Sequence, residues 1–422
     1  MNLAKTSLLN GLAVLTKFAT SLFLSKVIAV YVGPAGYGVI GQFQNLVGIV
    51  STLASGAVNT GVTRYTAEYV DQKERQFVVW NTAAGLGLIG AAVCALVLVL
   101  AREPLARWAL GDVAHASVLL WLGASLVFLV LNGLMLAILT GRKAVRGLVV
   151  ANIAGSLITA AVAGALVATR GLDGALVAIA VGQALACGVT VFVLRSSGIA
   201  LRQLFGRIDP GMARRLGAYA LMAATAALAT PLAQVFIRDR LAADLGWVSV
   251  GLWQALWKIS EMHLMLLTTT LSVYLLPRFS EIRDADELKR EVRAAYRFVL
   301  PVSLASCAVI YLFRTQLVRG LLTEEFLPLV GLLGVQLAGD LLKINSWVMA
   351  YTMVSHAMTR TFVATEIAFA MLLAVSTTLL SARWGLLGAA AAYALTYATY
   401  WIVMAVVFRS LLSRLRQRAV ND

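Results

Sequence analysis

From its first residues the chain alternates long apolar runs with short polar segments, and most runs are the length of one bilayer crossing. A hydrocarbon layer of ~30 Å takes about 20 helical residues. The runs predict helices over approximately 6–30, 39–63, 80–101, 116–140, 147–169 and 173–194, and then over 213–237, 248–276, 295–313, 328–355, 361–382 and 386–408. Helices are expected rather than strands, because a backbone inside lipid must satisfy its own hydrogen bonds.

Composition agrees with that pattern. The chain is 60% hydrophobic and 13% charged, with a mean hydropathy of +0.84, whereas a water-facing domain carries about 25% charge. The net charge of +15 does not point to nucleic acid. The cations sit between apolar runs, with no basic domain to hold a duplex, and they read as topology signals and contacts to anionic lipids. With the N-terminus inside, twenty-three of the 35 Lys and Arg fall in inside segments and eight in outside ones, Arg238 and Arg240 among the latter. Four more, Lys17, Lys26, Lys258 and Lys343, fall within spans. The excess favours both termini on the cytoplasmic side. Lys17 and Lys26 also interrupt the first run, which is therefore not expected to be a removable signal peptide. Cys94, Cys187 and Cys307 lie in apolar runs without metal-ligand spacing, so neither a disulfide framework nor a metal site is expected.

The pattern repeats. Gly171-Leu172-Asp173-Gly174-Ala175 returns as Gly385-Leu386-Leu387-Gly388-Ala389, 214 positions on. At the same offset Asn152-Ile153-Ala154 falls on Glu366-Ile367-Ala368, Arg146 on Arg360, and Thr63-Arg64-Tyr65 on Pro277-Arg278-Phe279. Gly41-Gln42-Phe43-Gln44 resembles Gly251-Leu252-Trp253-Gln254 at offset 210. A repeat of six helices keeps one orientation, which implies a parallel repeat. The expected fold is an all-α polytopic membrane protein of about twelve transmembrane helices in two six-helix bundles. Residues 1–208 form the first bundle, and 209–422 form the second with a short basic cytoplasmic tail. The basic stretch 195–215, with Asp209-Pro210-Gly211, is the expected hinge.

Charge at membrane depth costs roughly 2.5–3.5 kcal/mol per residue on insertion scales, so it should face a cavity or a partner. In the eighth run Gln254, Lys258 and Glu261 share one helical face, and in the tenth Gln336, Asp340, Lys343 and Trp347 do the same. In the second, Gln44, Gly48, Ser51, Ser55 and Asn59 form a polar stripe. Two readings stand for each: ion pairs and close helix packing, or the lining of a hydrated cavity. Lys17 and Lys26 are nine positions apart, about half a turn round one helix, so Lys17 is the better ligand candidate while Lys26 suits snorkelling. Arg64 with Glu68 fits either a phosphate clamp or a helix cap. Glu366 stands alone in its run and is a coupling candidate. His263 lies off the charged face of Gln254, Lys258 and Glu261 and reads as a packing residue; His115 and His356 are given no role. The sequence contains no HExxH, Walker loop or nucleophile elbow, so no catalytic residue, cofactor or enzyme activity is expected.

With these residues in view, the chain resembles the polysaccharide-flippase branch of the multidrug/oligosaccharidyl-lipid/polysaccharide exporter superfamily. The resemblance is carried by Leu3-Ala4-Lys5, Gly33-Pro34-Ala35-Gly36, Gly61-Val62-Thr63-Arg64-Tyr65, Gly251 with Trp253-Gln254, Ser272-Val273-Tyr274-Leu275-Leu276-Pro277, Phe298-Val299-Leu300-Pro301 and Gly339-Asp340. It implies two bundles flanking a V-shaped cavity in a bacterial inner membrane, and an undecaprenyl-pyrophosphate-linked oligosaccharide as cargo. Related flippases hold pyrophosphate with cations in the first and eighth helices, where this chain has Lys17, Lys26 and Lys258; lysine lacks the bidentate fork of arginine. On this resemblance Lys17, Lys26, Gln44, Asn59, Arg64, Gln254, Lys258, Gln336 and Lys343 are candidates for substrate binding. Glu261, Asp340 and Glu366 are candidates for coupling to protons or another ion. Implied partners are membrane lipids and the polymerase and chain-length proteins of the same pathway. A drug or cation exporter of the same superfamily is the competing reading.

Overall fold

The computed structural model describes residues 3–356 and 358–421. Among residues carrying the resemblance, the side chains at 3–5, 272–274, 276 and 277 lie outside the described ones. Every regular element described is helical: α1 Leu3–Ser55, α2 Asn59–Glu68, α3 Lys73–Leu100, α4 Arg102–Leu110, α5 Ala116–Gly141, α6 Val145–Ser196, α7 Pro210–Glu281, α8 Ala285–Leu312, α9 Arg314–Leu321, α10 Leu333–Ser355 and α11 Thr359–Asn421, with short 3-10 turns at Val113–His115, Leu201–Leu204 and Glu324–Gly331. Six described helices are long and apolar enough to cross a membrane, or seven with the bent pair Glu324–Gly331 and Leu333–Ser355. The chain is a multi-pass membrane protein.

Four helices are two helices end to end. Each is broken at one glycine with non-helical backbone: Gly33 (φ 69°, ψ −177°) in α1, Gly171 (54°, −127°) in α6, Gly246 (80°, 164°) in α7 and Gly385 (57°, −137°) in α11. Such combinations are open almost solely to glycine. The expected seventh span, 213–237, therefore continues to Gly246, since nothing in Ala242-Ala243-Asp244-Leu245 stops a helix. The expected second span, 39–63, ends early at Ser55, where Gly56 (φ 59°) and Ala57 (φ 52°) reverse the backbone. Asn59 is thereby carried off the stripe of Gln44, Gly48, Ser51 and Ser55 and into α2.

The chain divides into two compact units, Met1–Val235 and Phe236–Asp422. In the first, α1 and α5 pack on α6, and α3 on α5. The Trp80 indole N–H donates to Thr66 Oγ1 (3.0 Å) and Gln76 Nε2 to the Thr66 carbonyl (2.7 Å). Arg142 donates to Gln76 Oε1 (2.9 Å) and covers the Trp80 ring. These bonds pin α2, α3 and the α5–α6 turn together. Asp209 caps α7 through Met212 N–H (2.6 Å), Pro210 supplies its first residue, and Asp209 N–H is held by Thr82 Oγ1 on α3 (3.1 Å). In the second unit α10 packs on α11 and α8, around Leu264, Phe279, Ile344, Met353 and Tyr400.

The order of elements repeats. α3 and α8 are both 28 residues long, and each is followed by a short helix, a 3-10 turn, one long helix and a glycine-broken helix. The motif Gly-Leu-x-Gly-Ala explains the turn. Its first glycine takes the positive φ, and its second lets two helices touch: a Cβ at Gly174 would collide with the carbonyl oxygen of Leu166, and one at Gly388 with that of Leu380. Gly388→Ala is expected to destabilise by about 1–3 kcal/mol. Gly217→Ala, with open space around it, should be neutral or mildly stabilising. Thermal unfolding of the two variants in one detergent checks this, and equal midpoints would remove the close-contact argument.

Candidate functional site

Inside the second unit, three helices bring a polar and aromatic cluster into otherwise apolar surroundings. The face of α10 that carries Gln336, Asp340, Lys343 and Trp347 turns toward α7 and α11. Gln336, 1% exposed, donates to Ser260 Oγ at 2.9 Å. Asp340 is fully buried and accepts from the Tyr393 hydroxyl at 2.8 Å. A side chain on Gly339 would strike the Tyr393 ring, which gives the pair Gly339-Asp340 its physical reason. Lys343 is not paired with Asp340. Its ammonium lies among four rings, 4.8 Å from Tyr397, 5.3 Å from Trp347, 5.4 Å from Trp257 and 5.5 Å from Tyr393. Each such contact contributes about 0.5–2 kcal/mol, depending on desolvation. The rings brace one another, Trp257 edge-on to Tyr393 at 5.1 Å and Tyr393 to Tyr397 at 4.8 Å.

The face of α7 is rotated from the expected one. Gln254 is buried and accepts a hydrogen bond from Arg238. Lys258 pairs with Glu261 at 3.9 Å, and Glu261 is 55% exposed. The inward face belongs instead to Trp253, Trp257, Ser260 and His263. His263 is therefore more than a packing residue. Its Nε2 bonds Ser306 Oγ at 2.8 Å and its Nδ1 faces Asp340 Oδ2 at 3.7 Å. Glu366 on α11 is half-buried.

Arg238 corrects the sequence reading. Counted there among outside cations, it is 1% exposed, bonded to Gln254 and stacked over Trp253 at 5.2 Å. The neighbouring Asp239 and Arg240 give the stretch the look of a loop, but the helix runs on to Gly246. Arg238→Met should leave the Gln254 carbonyl without its donor and lower stability by about 1–3 kcal/mol. Adding Gln254→Leu should recover part of that loss. Unfolding midpoints of the single and double variants test the coupling, and simple additivity would refute it.

In the first unit the predicted residues are spread out. Gln44 and Arg64 are exposed, Lys26 is half-buried, and Asn59 packs against Gly133 on α5. Ser51 and Ser55 donate to Val47 and Thr52 carbonyls of their own helix. The bonds that leave this helix come from neighbours the stripe passed over: Asn45 Nδ2 to Gln234 Oε1 (2.8 Å) and Gln42 Nε2 to the Val235 carbonyl (3.4 Å). Lys17 lines a cleft of its own. Gathered in one unit are thus Gln254, Lys258, Glu261, Gln336, Asp340, Lys343 and Glu366; Lys17, Lys26, Gln44, Asn59 and Arg64 are not gathered with each other.

Residues 3–283 match the family model described as polysaccharide biosynthesis protein. The chain is 32% identical over 409 residues to the lipid III flippase of Escherichia coli strain K12, covering 97% of this chain and 98% of that one. The lipid III flippase of Shigella flexneri matches with the same identity and coverage. Among solved structures, an inward-facing multidrug resistance MATE family transporter of the MOP superfamily superposes with a TM-score of 0.82 at 18% identity, over 95% of each chain. An outward-facing structure of such a transporter gives 0.66 at 18% identity, over 96% of each.

Proposed function

Because the chain belongs to the polysaccharide biosynthesis protein family, we propose that it is a flippase. In this reading it moves a lipid-linked anionic oligosaccharide from the cytoplasmic to the periplasmic leaflet of a bacterial inner membrane. The observation that carries the reading is Lys343: a cation held inside an apolar unit by aromatic rings, with no carboxylate bonded to it among the described residues. An anionic head group loses its water during crossing, which is unfavourable unless fixed charges and donors replace that water. Lys343, Lys258 and Lys17 supply the cations. Lys26, Arg64, Gln44 and Asn59 line the route, while Gln254 and Gln336, held by Arg238 and Ser260, frame the site. The prenyl tail stays in lipid.

The finer proposal has twelve spans in two six-helix halves, 1–208 and 209–422, with both termini cytoplasmic. The halves open alternately to each side, and Asp340, Glu261 or Glu366 couples the cycle to protons. The cargo is undecaprenyl-pyrophosphate bearing the lipid III trisaccharide of enterobacterial common antigen, whose uronic sugar adds a second anion; another polysaccharide repeat unit is the alternative. A drug or cation exporter fits less well, since the aromatic cage is already filled by the protein's own ammonium.

Depleting the protein should cause a lipid-linked oligosaccharide to accumulate with its sugar on the cytoplasmic side. Wild-type protein should clear it, and Lys258→Ala, inserted to the same level, should export at least tenfold less. Unchanged export in depleted cells would refute the assignment.

A further inference from the structure

The first unit contains a cleft of about 390 Å³ that the cluster in the second unit leaves out of account. Pockets of roughly 300–1,000 Å³ are the usual size for small ligands. It opens among α1, α5 and both halves of α6, with Lys17, Asn132, Asn152, Thr159, Gln183 and Thr190 on its walls. Asn132 is 3% exposed; its Nδ2 donates to Gln183 Oε1 at 3.2 Å, and its Oδ1 has no hydrogen-bond partner among the described residues. A buried acceptor left unsatisfied costs about 1–3 kcal/mol, so the site calls for a donor from outside the chain.

The other walls offer both acceptors and donors. Thr159 donates to the Gly182 carbonyl (3.2 Å), Thr190 to Ala186 (3.1 Å), and Asn152 Nδ2 to Leu148 (2.9 Å). Their oxygens remain as acceptors, while the Gln183 amide N–H groups, the second Asn152 N–H and the Ser21 and Ser156 hydroxyls add donors. Among the described residues the lining contains no carboxylate and no aromatic ring, and Lys17 is its one charge. Such a surface suits a ligand rich in hydroxyl and amide groups, which both donate and accept, and one that is neutral or carries one negative charge. A cationic amphiphile would meet Lys17, and an acyl chain would leave Asn132 unsatisfied. We propose that this cleft is a carbohydrate site, binding a pyranose through hydroxyl and acetamido N–H groups, with Lys17 placed for a sugar carboxylate. The proposal rests on the transport reading and deepens it, by assigning the sugar part of the cargo to the first unit.

The test uses the full chain in nanodiscs of phosphatidylethanolamine and phosphatidylglycerol, with N,N′-diacetylchitobiose as the probe. Saturation-transfer NMR should show transfer to the acetamido methyl groups. That signal should fall at least threefold in Asn132→Leu, and equally in Ser156→Phe, which fills the cleft from a half-buried position and serves as the second variant if Asn132→Leu folds poorly. No transfer to wild type, or equal transfer to both variants, overturns the proposal. Lost transfer with export intact removes the cleft alone. Normal transfer in a protein whose depletion leaves export unchanged removes the transport reading and leaves a sugar site.

Discussion

Replacing Lys343 with methionine is expected to reduce export at least a hundredfold while the protein still inserts and purifies normally. Methionine keeps the length of the side chain and packs well against aromatic rings, with contacts of about 0.3–1.5 kcal/mol. The cage of Trp257, Trp347, Tyr393 and Tyr397 should therefore close around it with little loss of stability. What disappears is the charge. Lys343→Arg should restore part of the activity, because guanidinium also stacks on rings but is broader and less mobile. Flipping of the lipid-linked oligosaccharide in proteoliposomes reads this directly. A methionine variant as active as wild type would show that the caged cation stabilises the helices and takes no part in transport.

The second large effect is expected at Asp340. Its carboxylate is fully buried, takes the Tyr393 hydroxyl on one oxygen and presents the other to His263 at 3.7 Å. An unbalanced charge there, away from water, would be costly. Asp340→Asn preserves the shape and the bond from Tyr393 but fixes the site in a neutral form. Export should fall at least tenfold, and the remaining activity should no longer respond to an imposed pH gradient. His263→Asn should act in the same direction. Full gradient dependence in Asp340→Asn would place coupling elsewhere, with Glu261 and Glu366 next in line.

Much of the fold was legible because it depends on one-dimensional signals. Run length marked the membrane-crossing helices, and the repeated Gly-Leu-x-Gly-Ala marked matching turns in both halves. The face of α10 was legible too, because three polar residues and a tryptophan in helical register need only one helix to be recognised. Other features depend on several helices at once. Arg238 looked like a loop residue because three charged residues stand together there, and only the continuation of α7 to Gly246 buries it. His263 was passed over because the charged face of α7 was taken as the inward one, whereas Glu261 points outward. The cleft in the first unit was invisible, since Asn132, Asn152 and Gln183 each stand nearly alone in apolar sequence and meet only when their helices pack.

The four glycine turns have a consequence for how the protein meets its surroundings. In the proposed orientation Gly33, Gly171, Gly246 and Gly385 all lie on the periplasmic side, each joining two helices almost without intervening chain. A protease, an antibody or a bacteriophage arriving there would find little loose polypeptide to grip. Epitope tags and reporter insertions are better tried in the linker between α6 and α7, on the opposite face.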